Sequence, residues 1–306
     1  MFSISTTWNY TGKCDLRRML TEIKACGLSS IEIGYNFTTA RLNELIPLLE
    51  EFNIRVTSVH NFCPLPEENA FGRFFTNYYF LSALDDDERG KAVFYTRQTI
   101  DTAKMVGART VVIHAGAVEF DGDYTKELMV LFNSGAIESE KAANIREILH
   151  RERTFKKVPY IEATMKSLDE ITEYAAAMDM EIGLENRYYA NEIPNNDEAL
   201  TFLKEFSDRG LGYWHDVGHS CAQEHLMMIE KDSLLNKLGG YLIGLHLHDI
   251  RGLKDHLSPL AGEFDFSRIS SYLEDKKMLK IIEAHQPSKP AEIQAAIKYF
   301  NAKNWL

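Results

Sequence analysis

Short apolar runs that favour β-strands alternate with longer amphipathic patterns along this chain, and no other feature constrains its fold as strongly. Eight strands are predicted, over residues 2–8, 30–35, 55–62, 110–116, 181–186, 211–216, 242–249 and 279–285. Several are nearly continuous apolar runs, such as Val111-Val112-Ile113, which is typical of parallel strands buried on both faces.

Helical patterns lie between these strands, for example over residues 16–26, 42–52, 92–106 and 168–178. Leu16, Met19, Leu20 and Ile23 fall on one helical stripe. Eight strand–helix units predict an α/β fold of the closed (β/α)8 TIM-barrel type rather than an open doubly wound sheet. The length of 306 residues suits one barrel, so we expect a single domain over residues 1–306.

Two long stretches interrupt the alternation, residues 61–87 after the third strand and residues 117–160 after the fourth. The second contains helical patterns over residues 124–132 and 138–151. Both stretches follow the C-terminal end of a strand, which is the active-site face of a barrel. We therefore predict loop insertions over the site; a packing subdomain without a catalytic role is an equal alternative.

The charge balance argues against a protein that coats nucleic acid. Lys and Arg number 34 against 45 Asp and Glu, a formal net charge of −11, whereas phosphate binding needs clustered cations. The densest basic cluster comprises Arg151, Arg153, Lys156 and Lys157, and we interpret it as a solvated helix face. No nucleic-acid partner is expected.

The four cysteines, Cys14, Cys26, Cys63 and Cys221, are scattered and form no CxxC pair, so reduced thiols are expected. The N-terminal residues have no basic stretch followed by an apolar run, and no window approaches 18 uninterrupted apolar residues. We therefore expect a cytoplasmic protein with no membrane partner.

Polar side chains that can bind a metal ion stand at the ends of the last four predicted strands. Glu185 ends the fifth, Asp216 the sixth, and Glu283 lies on the eighth; the seventh carries both His246 and His248. The C-terminal ends of barrel strands converge on one mouth, where three unpaired carboxylates would be costly. Carboxylates with one imidazole suit Mn²⁺, Mg²⁺, Co²⁺ or Zn²⁺. Salt bridges to Arg187 or Lys280 are the alternative.

Further candidates lie on the earlier strands. His60 ends the third strand and His114 the fourth, and both are expected at the same mouth, although a hydrogen-bonded core histidine is the usual role of one such residue. Glu32 on the second strand is expected either to contact a substrate or to hold a neighbouring histidine.

An ordered set of motifs resembles the xylose-isomerase-like barrel superfamily of sugar phosphate isomerases and epimerases, which also contains the endonuclease IV group. The motifs are Glu185-Asn186, Asp216 to His219, His246 to Asp249, the loop from Asp255-His256-Leu257 to Gly262, and Glu283. The resemblance covers nearly the whole chain. Each motif alone is weak, and the set is specific for the superfamily but not for one reaction.

The resemblance implies that Glu185, Asp216, His246 and Glu283 hold one divalent ion. His246 is preferred because it meets the family's His-x-x-Asp spacing; alternation places His246 and His248 on the same side of the strand, so spacing alone does not choose between them. The remaining candidates are assigned to substrate binding: His60, His114, His219, His248, His256, Arg187 and Glu32. His60, His114, His219 and His256 also match positions of the multinuclear endonuclease IV group, which leaves room for a second or third ion.

The resulting expectation is a sugar or polyol isomerase or epimerase that transfers a proton through a metal-stabilised cis-enediolate, with Glu185 and Glu283 as catalytic acid and base. Arg187 stands where true xylose isomerases have a lysine, which disfavours hydride transfer. The alternatives are a keto-polyol dehydratase, an endonuclease IV-like phosphodiesterase and a non-catalytic binding barrel. The expected partner is a small sugar or polyol, and a homo-oligomer remains open.

Overall fold

The structure, a computed structural model, describes residues 2–69 and 71–305. Eight parallel strands close into a barrel in which each pairs with its neighbours in chain order, so the predicted barrel is confirmed. The strands are β1 (Phe2–Ser5), β2 (Ser30–Ile33), β3 (Arg55–His60), β4 (Thr110–Ile113), β5 (Glu181–Glu185), β6 (Leu211–Asp216), β7 (Leu242–Leu247) and β8 (Leu279–Ile282). Most are one to three residues shorter at their C-terminal end than predicted, because the last predicted residues lie beyond the barrel ladder, at its mouth.

Ten α-helices accompany the barrel within the described residues: α1 (Leu16–Ala25), α2 (Thr39–Glu51), α3 (Asp86–Met105), α4 (Tyr124–Asn133), α5 (Glu140–Ala177), α6 (Asn196–Phe206), α7 (Val217–His225), α8 (Ser233–Leu238), α9 (Ser270–Glu274) and α10 (Pro290–Ala302). None of them combines the length and the apolar composition needed to cross a membrane.

Helix α1 shows how the sequence determines these elements. The Asp15 carboxylate accepts hydrogen bonds from the backbone N–H groups of Arg17 and Arg18, which caps the N-terminus. The predicted stripe is buried and joins the main hydrophobic core. Each such side chain contributes about 1.5–3 kcal/mol when it is fully buried. Gly27, with a φ of +87°, follows the helix and takes the left-handed conformation that terminates it.

The long stretch after β4 differs from the prediction, since its second half is part of one helix. The 38 residues of α5 join the helical patterns that we predicted separately over residues 138–151 and 168–178, and Pro159 lies inside the helix. Arg153 in α5 is also buried, so a solvated face is the wrong interpretation for this residue. Its guanidinium donates to the Glu198 carboxylate at 2.6 Å and to the carbonyl oxygens of Ala190 and Glu192.

Two short antiparallel ladders tie the loops above the barrel together. Gly116–Ala117, after β4, pairs with Glu192–Ile193, after β5. Asp249–Arg251, after β7, pairs with Lys254–Leu257. The first ladder joins loops that follow two different barrel strands.

The barrel interior below the mouth is filled by Trp214 of β6, which is fully buried. Glycines on the two neighbouring strands make room for the indole: a Cβ atom at Gly183 would lie 2.8 Å from a Trp214 ring atom, and one at Gly244 only 2.1 Å. The indole contacts the His246 ring edge to face, with ring centroids 5.2 Å apart. The Trp214 indole therefore forms the floor of the mouth, in the space left by the two glycines.

A cavity of about 810 Å³ lies at the opposite end of the barrel, where the strands begin. Its lining includes Arg55, Thr110, Glu181 and Leu279. None of the predicted site residues lines it, so the chemistry of the strand ends is separate from this cavity.

Candidate metal centre and active site

The ends of the last four strands bring Glu185, Asp216, His246 and Glu283 together. Asp216 pairs in register with His246 across β6 and β7, and Glu283 follows directly after β8. All four side chains are buried. One ligand atom from each lies within 4.8 Å of those from the other three. We call these four residues the central cluster.

The His246 ring stands between the carboxylates of the central cluster. Its Nδ1 atom is 3.0 Å from Oε1 of Glu185, 3.1 Å from Oε2 of Glu283 and 3.8 Å from Oδ2 of Asp216. Three carboxylates and one imidazole form a hard, oxygen-rich donor set that suits a divalent ion such as Mn²⁺, Mg²⁺, Co²⁺ or Zn²⁺. The donors present therefore fit a divalent cation.

The carboxylates of the central cluster have unequal acidities. Burial raises the pKa of Glu283 to about 7; His246 and His60 oppose this shift, and the neighbouring Glu185 and Glu32 carboxylates add to it. Burial also disfavours ionisation of Glu185, but His114 and His246 outweigh it and hold its pKa well below the usual range. Two buried glutamates whose pKa values differ in this way are typical of a pair that exchanges protons.

Glu32 lies on the far side of His246. Its carboxylate oxygens are 3.3 Å from Nε2 of His246, and the Ser58 hydroxyl donates to it at 2.8 Å. Two roles were predicted for Glu32, and this contact agrees with the second, in which it holds a neighbouring histidine. A carboxylate behind a metal-binding imidazole fixes the orientation of the ring and raises its basicity.

A second group of residues surrounds Oε2 of Glu185. Nε2 of His114 lies 2.6 Å from this oxygen, Nε2 of His60 lies 3.3 Å away, and Nη1 of Arg187 lies 3.4 Å away. His60, His114 and Glu185 form another set of three potential metal ligands. The Arg187 guanidinium is buried and also donates to the Glu192 carboxylate at 2.8 Å.

A third group lies over Asp216 and Glu283. Nε2 of His248 is 2.9 Å from both carboxylate oxygens of Asp216, which outweighs the effect of burial and raises the pKa of His248 to about 9. The His256 ring stacks on the His248 ring with centroids 4.1 Å apart. His219, Asp255 and His256 form a further set of potential ligands at the rim.

Every residue predicted for the site therefore lies in one connected network at the mouth. The residues of this network that had no predicted role include Asn186, Glu192 and Asp255. The Asn186 side chain bonds the backbone N–H and carbonyl of Asp216 and so fixes the end of β6. Asp255 belongs to the quoted loop motif, and that motif was the available signal; Glu192 lies in a loop without any periodic pattern.

Comparison with known proteins supports the same architecture. The family model described as xylose isomerase-like TIM barrel matches residues 20–303. No curated protein matches the chain by sequence. A D-tagatose 3-epimerase-like protein superimposes with a TM-score of 0.67 and 18% identity, covering 99% of this chain and 97% of that one.

Two further solved structures are similar. D-psicose 3-epimerase from Clostridium cellulolyticum H10, determined with D-tagatose, has a TM-score of 0.65 and 18% identity, with 99% of both chains covered. A Thermus thermophilus protein soaked with zinc chloride has a TM-score of 0.60 and 18% identity, covering 99% of this chain and 97% of that one. At these identities the superpositions show the fold alone, whereas the family model covers most of the chain. The chain belongs to the xylose isomerase-like TIM-barrel family.

Proposed function

We propose that this protein is a divalent-metal-dependent isomerase or epimerase of a sugar or polyol that works by proton transfer. The observation that carries the proposal is the central cluster, in which Glu185 and Glu283 contact the same nitrogen of His246 at 3.0 and 3.1 Å. Both glutamates are buried beside a donor set for one ion. A binding protein needs ligands for its ion but has no need of two glutamates with divergent acidities.

An ion held by the central cluster would supply Lewis acidity, polarising the carbonyl of a substrate and its neighbouring hydroxyl. One of the two glutamates takes the proton from the carbon α to the carbonyl. The C–H electron pair forms the new C=C bond, and the π pair of the carbonyl moves onto its oxygen, which gives a cis-enediolate. The other glutamate then returns a proton. The raised pKa of Glu283, at about 7, suits a group that must both hold and release a proton near neutral pH.

The substrate class is proposed to be ketoses. Two of the similar structures are named as a D-tagatose 3-epimerase-like protein and a D-psicose 3-epimerase with D-tagatose. His219 and His256 lie at the rim of the mouth beside Asp255, where imidazole nitrogens can bond sugar hydroxyls. His248 is assigned to the same role. Glu32 is reassigned, because its contact with His246 makes it a positioning residue.

Incubation in D₂O with a panel of ketoses tests the proposal. The accepted substrate should gain deuterium at the carbon α to the carbonyl, as measured by mass spectrometry and proton NMR. Glu283→Gln should slow this exchange about 10²–10⁴-fold, the usual contribution of a general acid or base. Turnover with full retention of the substrate hydrogen would instead indicate hydride transfer. A product lacking one water would identify the dehydratase.

A phosphodiesterase is the second candidate, and one observation favours it. Three further sets of potential ligands adjoin the central cluster: His60 with His114 and Glu185, His219 with Asp255 and His256, and His248 with His256 and Glu283. Cleavage of duplex DNA at an abasic site, without reaction on any ketose, would establish this activity. The net charge of −11 argues against it, because non-specific binding to phosphates requires clustered cations.

A further inference from the structure

Arg187 is a buried cation inside a set of potential metal ligands. Its side chain is 7% exposed, and its Nη1 atom lies 2.5 Å from Nε2 of His114 and 3.4 Å from Oε2 of Glu185. Those two atoms belong to the ligand set of His60, His114 and Glu185. The guanidinium therefore contacts two of the atoms that an ion bound by this set would need as ligands.

The hydrogen-bonding capacity of His114 makes the two occupants exclusive. Nε2 of His114 lies 2.5 Å from Nη1 of Arg187 and 2.6 Å from Oε2 of Glu185, and it cannot both accept from the first and donate to the second. Because a guanidinium only donates hydrogen bonds, the contact with Arg187 uses the lone pair of Nε2, and the Glu185 oxygen then accepts from the guanidinium rather than from the imidazole. A metal ion would require that same lone pair. The other nitrogen of the ring, Nδ1, is buried and has no hydrogen-bond partner among the described residues.

The guanidinium is held in place from behind. Nε and Nη2 of Arg187 both donate to Oε1 of Glu192, at 3.3 and 2.8 Å. The Glu192 carboxylate also accepts from the backbone N–H of Tyr189, and its carbonyl oxygen accepts from Arg153. Because a guanidinium never loses its proton at accessible pH, this charge is permanent.

We propose that Arg187 takes the place of a second metal ion, so that the ligand set of His60, His114 and Glu185 is closed to metal. The two N–H groups of Nη1 serve Nε2 of His114 and Oε2 of Glu185 in the way one additional ion would. The inference rests on the proposed metal centre and deepens it: Arg187 limits the number of ions next to Glu185. It thereby favours the single-ion chemistry of the proposed epimerase over multinuclear phosphodiester chemistry.

Counting bound ions tests this inference without measuring activity. Wild type, Arg187→Met, His114→Ala and the double variant are stripped with chelator, reloaded with excess Mn²⁺ or Zn²⁺, desalted and analysed by inductively coupled plasma mass spectrometry. Arg187→Met should bind one more ion per chain than wild type. The double variant should return to the wild-type count, and His114→Ala alone should leave that count unchanged.

Two results would overturn the inference. A loss of one ion in His114→Ala alone would mean that His114 binds metal in the wild type, beside Arg187. A folded Arg187→Met protein with no additional ion would mean that removing the guanidinium does not open the site. If Arg187→Met does not fold, the ion counts of wild type and His114→Ala still show whether His114 binds metal. Deuterium exchange by the wild type tests the proposed activity and does not depend on the ion counts of the variants. Failure of the proposed activity can therefore be distinguished from failure of this inference.

Discussion

Glu32 and His246 are 214 positions apart in the sequence, yet the Glu32 carboxylate lies 3.3 Å from Nε2 of the His246 ring. The opposite nitrogen of the same ring faces Glu185 and Glu283. The imidazole is thus held on one side by a carboxylate from β2 while its other side points into the central cluster. The orientation of this candidate metal ligand is therefore set by a strand that contributes no residue to the central cluster.

Glu32→Gln should weaken metal binding about 10–100-fold, the usual effect of removing a carboxylate behind a metal-bound histidine. Isothermal titration with Mn²⁺ measures the change. Ser58→Ala is the matched control, since it removes only the hydroxyl that donates to Glu32 and should have a smaller effect. Equal affinity of wild type and Glu32→Gln would show that this contact does not support the site.

The central cluster predicts that the metal-free protein is less stable than the metal-bound protein. An ion that binds only the folded state adds about 2.7 kcal/mol at 100 times its Kd, so chelation should lower the Tm. Glu185→Ala and Asp216→Ala should lose the ion and the response to chelator while keeping the far-ultraviolet circular dichroism of the barrel. A wild-type protein that binds no divalent ion on titration would contradict the whole assignment.

His246 and His248 should separate binding from turnover. Nδ1 of His246 lies among three carboxylates, so His246→Ala should reduce metal affinity. His248 contacts only Asp216 within the central cluster, through its Nε2 atom at 2.9 Å, so His248→Ala should mainly reduce kcat. Parallel metal titrations and steady-state kinetics measure both effects. The opposite pattern would mean that the His-x-x-Asp motif is read two residues out of register.

Gly244→Ala should destabilise the barrel by about 1–3 kcal/mol or more, the usual cost of overpacking a core. The new Cβ atom would lie 2.1 Å from the Trp214 ring, which cannot move without disturbing the His246 ring. Gly90→Ala in α3 is the control, because no atom lies within 4 Å of its Cβ position and the substitution should stabilise by about 0.5–1 kcal/mol. Urea denaturation compares the two, and equal effects would show that the indole tolerates the added methyl group.

Lys280 predicts a pH dependence of stability that is separate from the metal centre. Burial lowers the pKa of this lysine to about 8, and its ammonium group donates to the carbonyl oxygens of Leu273 and Trp305. Between pH 8 and about 10.5 the unfolded chain binds more protons at this position than the folded one, so stability contributed by Lys280 rises with pH. The free energy of unfolding at pH 9.5 minus that at pH 7.5 should be larger in wild type than in Lys280→Met. If this change in the free energy of unfolding is the same in both proteins, groups other than Lys280 cause the pH response.

The barrel and the central cluster were predictable because both depend on local patterns. An apolar strand that ends in a carboxylate or histidine is visible in the sequence, and barrel closure then brings such ends together, as for Glu185 and Glu283. The single helix α5 was not predictable, since Pro159 and the charged residues before it hide the apolar stripe. Arg153 looked solvated for a different reason: its partners Ala190, Glu192 and Glu198 all lie in the segment that follows another strand, β5.

The partners of Arg187 illustrate the remaining limit. Glu192 is five residues from Arg187 in the sequence, but nothing periodic indicates that the intervening loop folds back so that the two side chains meet. The path of an irregular loop depends on contacts with distant segments, here the Arg153 guanidinium and the strand Gly116–Ala117.

The small ladder between Gly116–Ala117 and Glu192–Ile193 makes the loops after β4 and β5 a single exchangeable module. Val118 donates to the carbonyl oxygen of Asn191, and Arg153 binds the carbonyl oxygens of Ala190 and Glu192, so one segment cannot be replaced without leaving backbone groups of the other unpaired. Engineers who graft a new specificity onto this scaffold should therefore transplant both loops together with the first half of α5. Evolution faces the same coupling, and substitutions in these two loops should accumulate as correlated pairs.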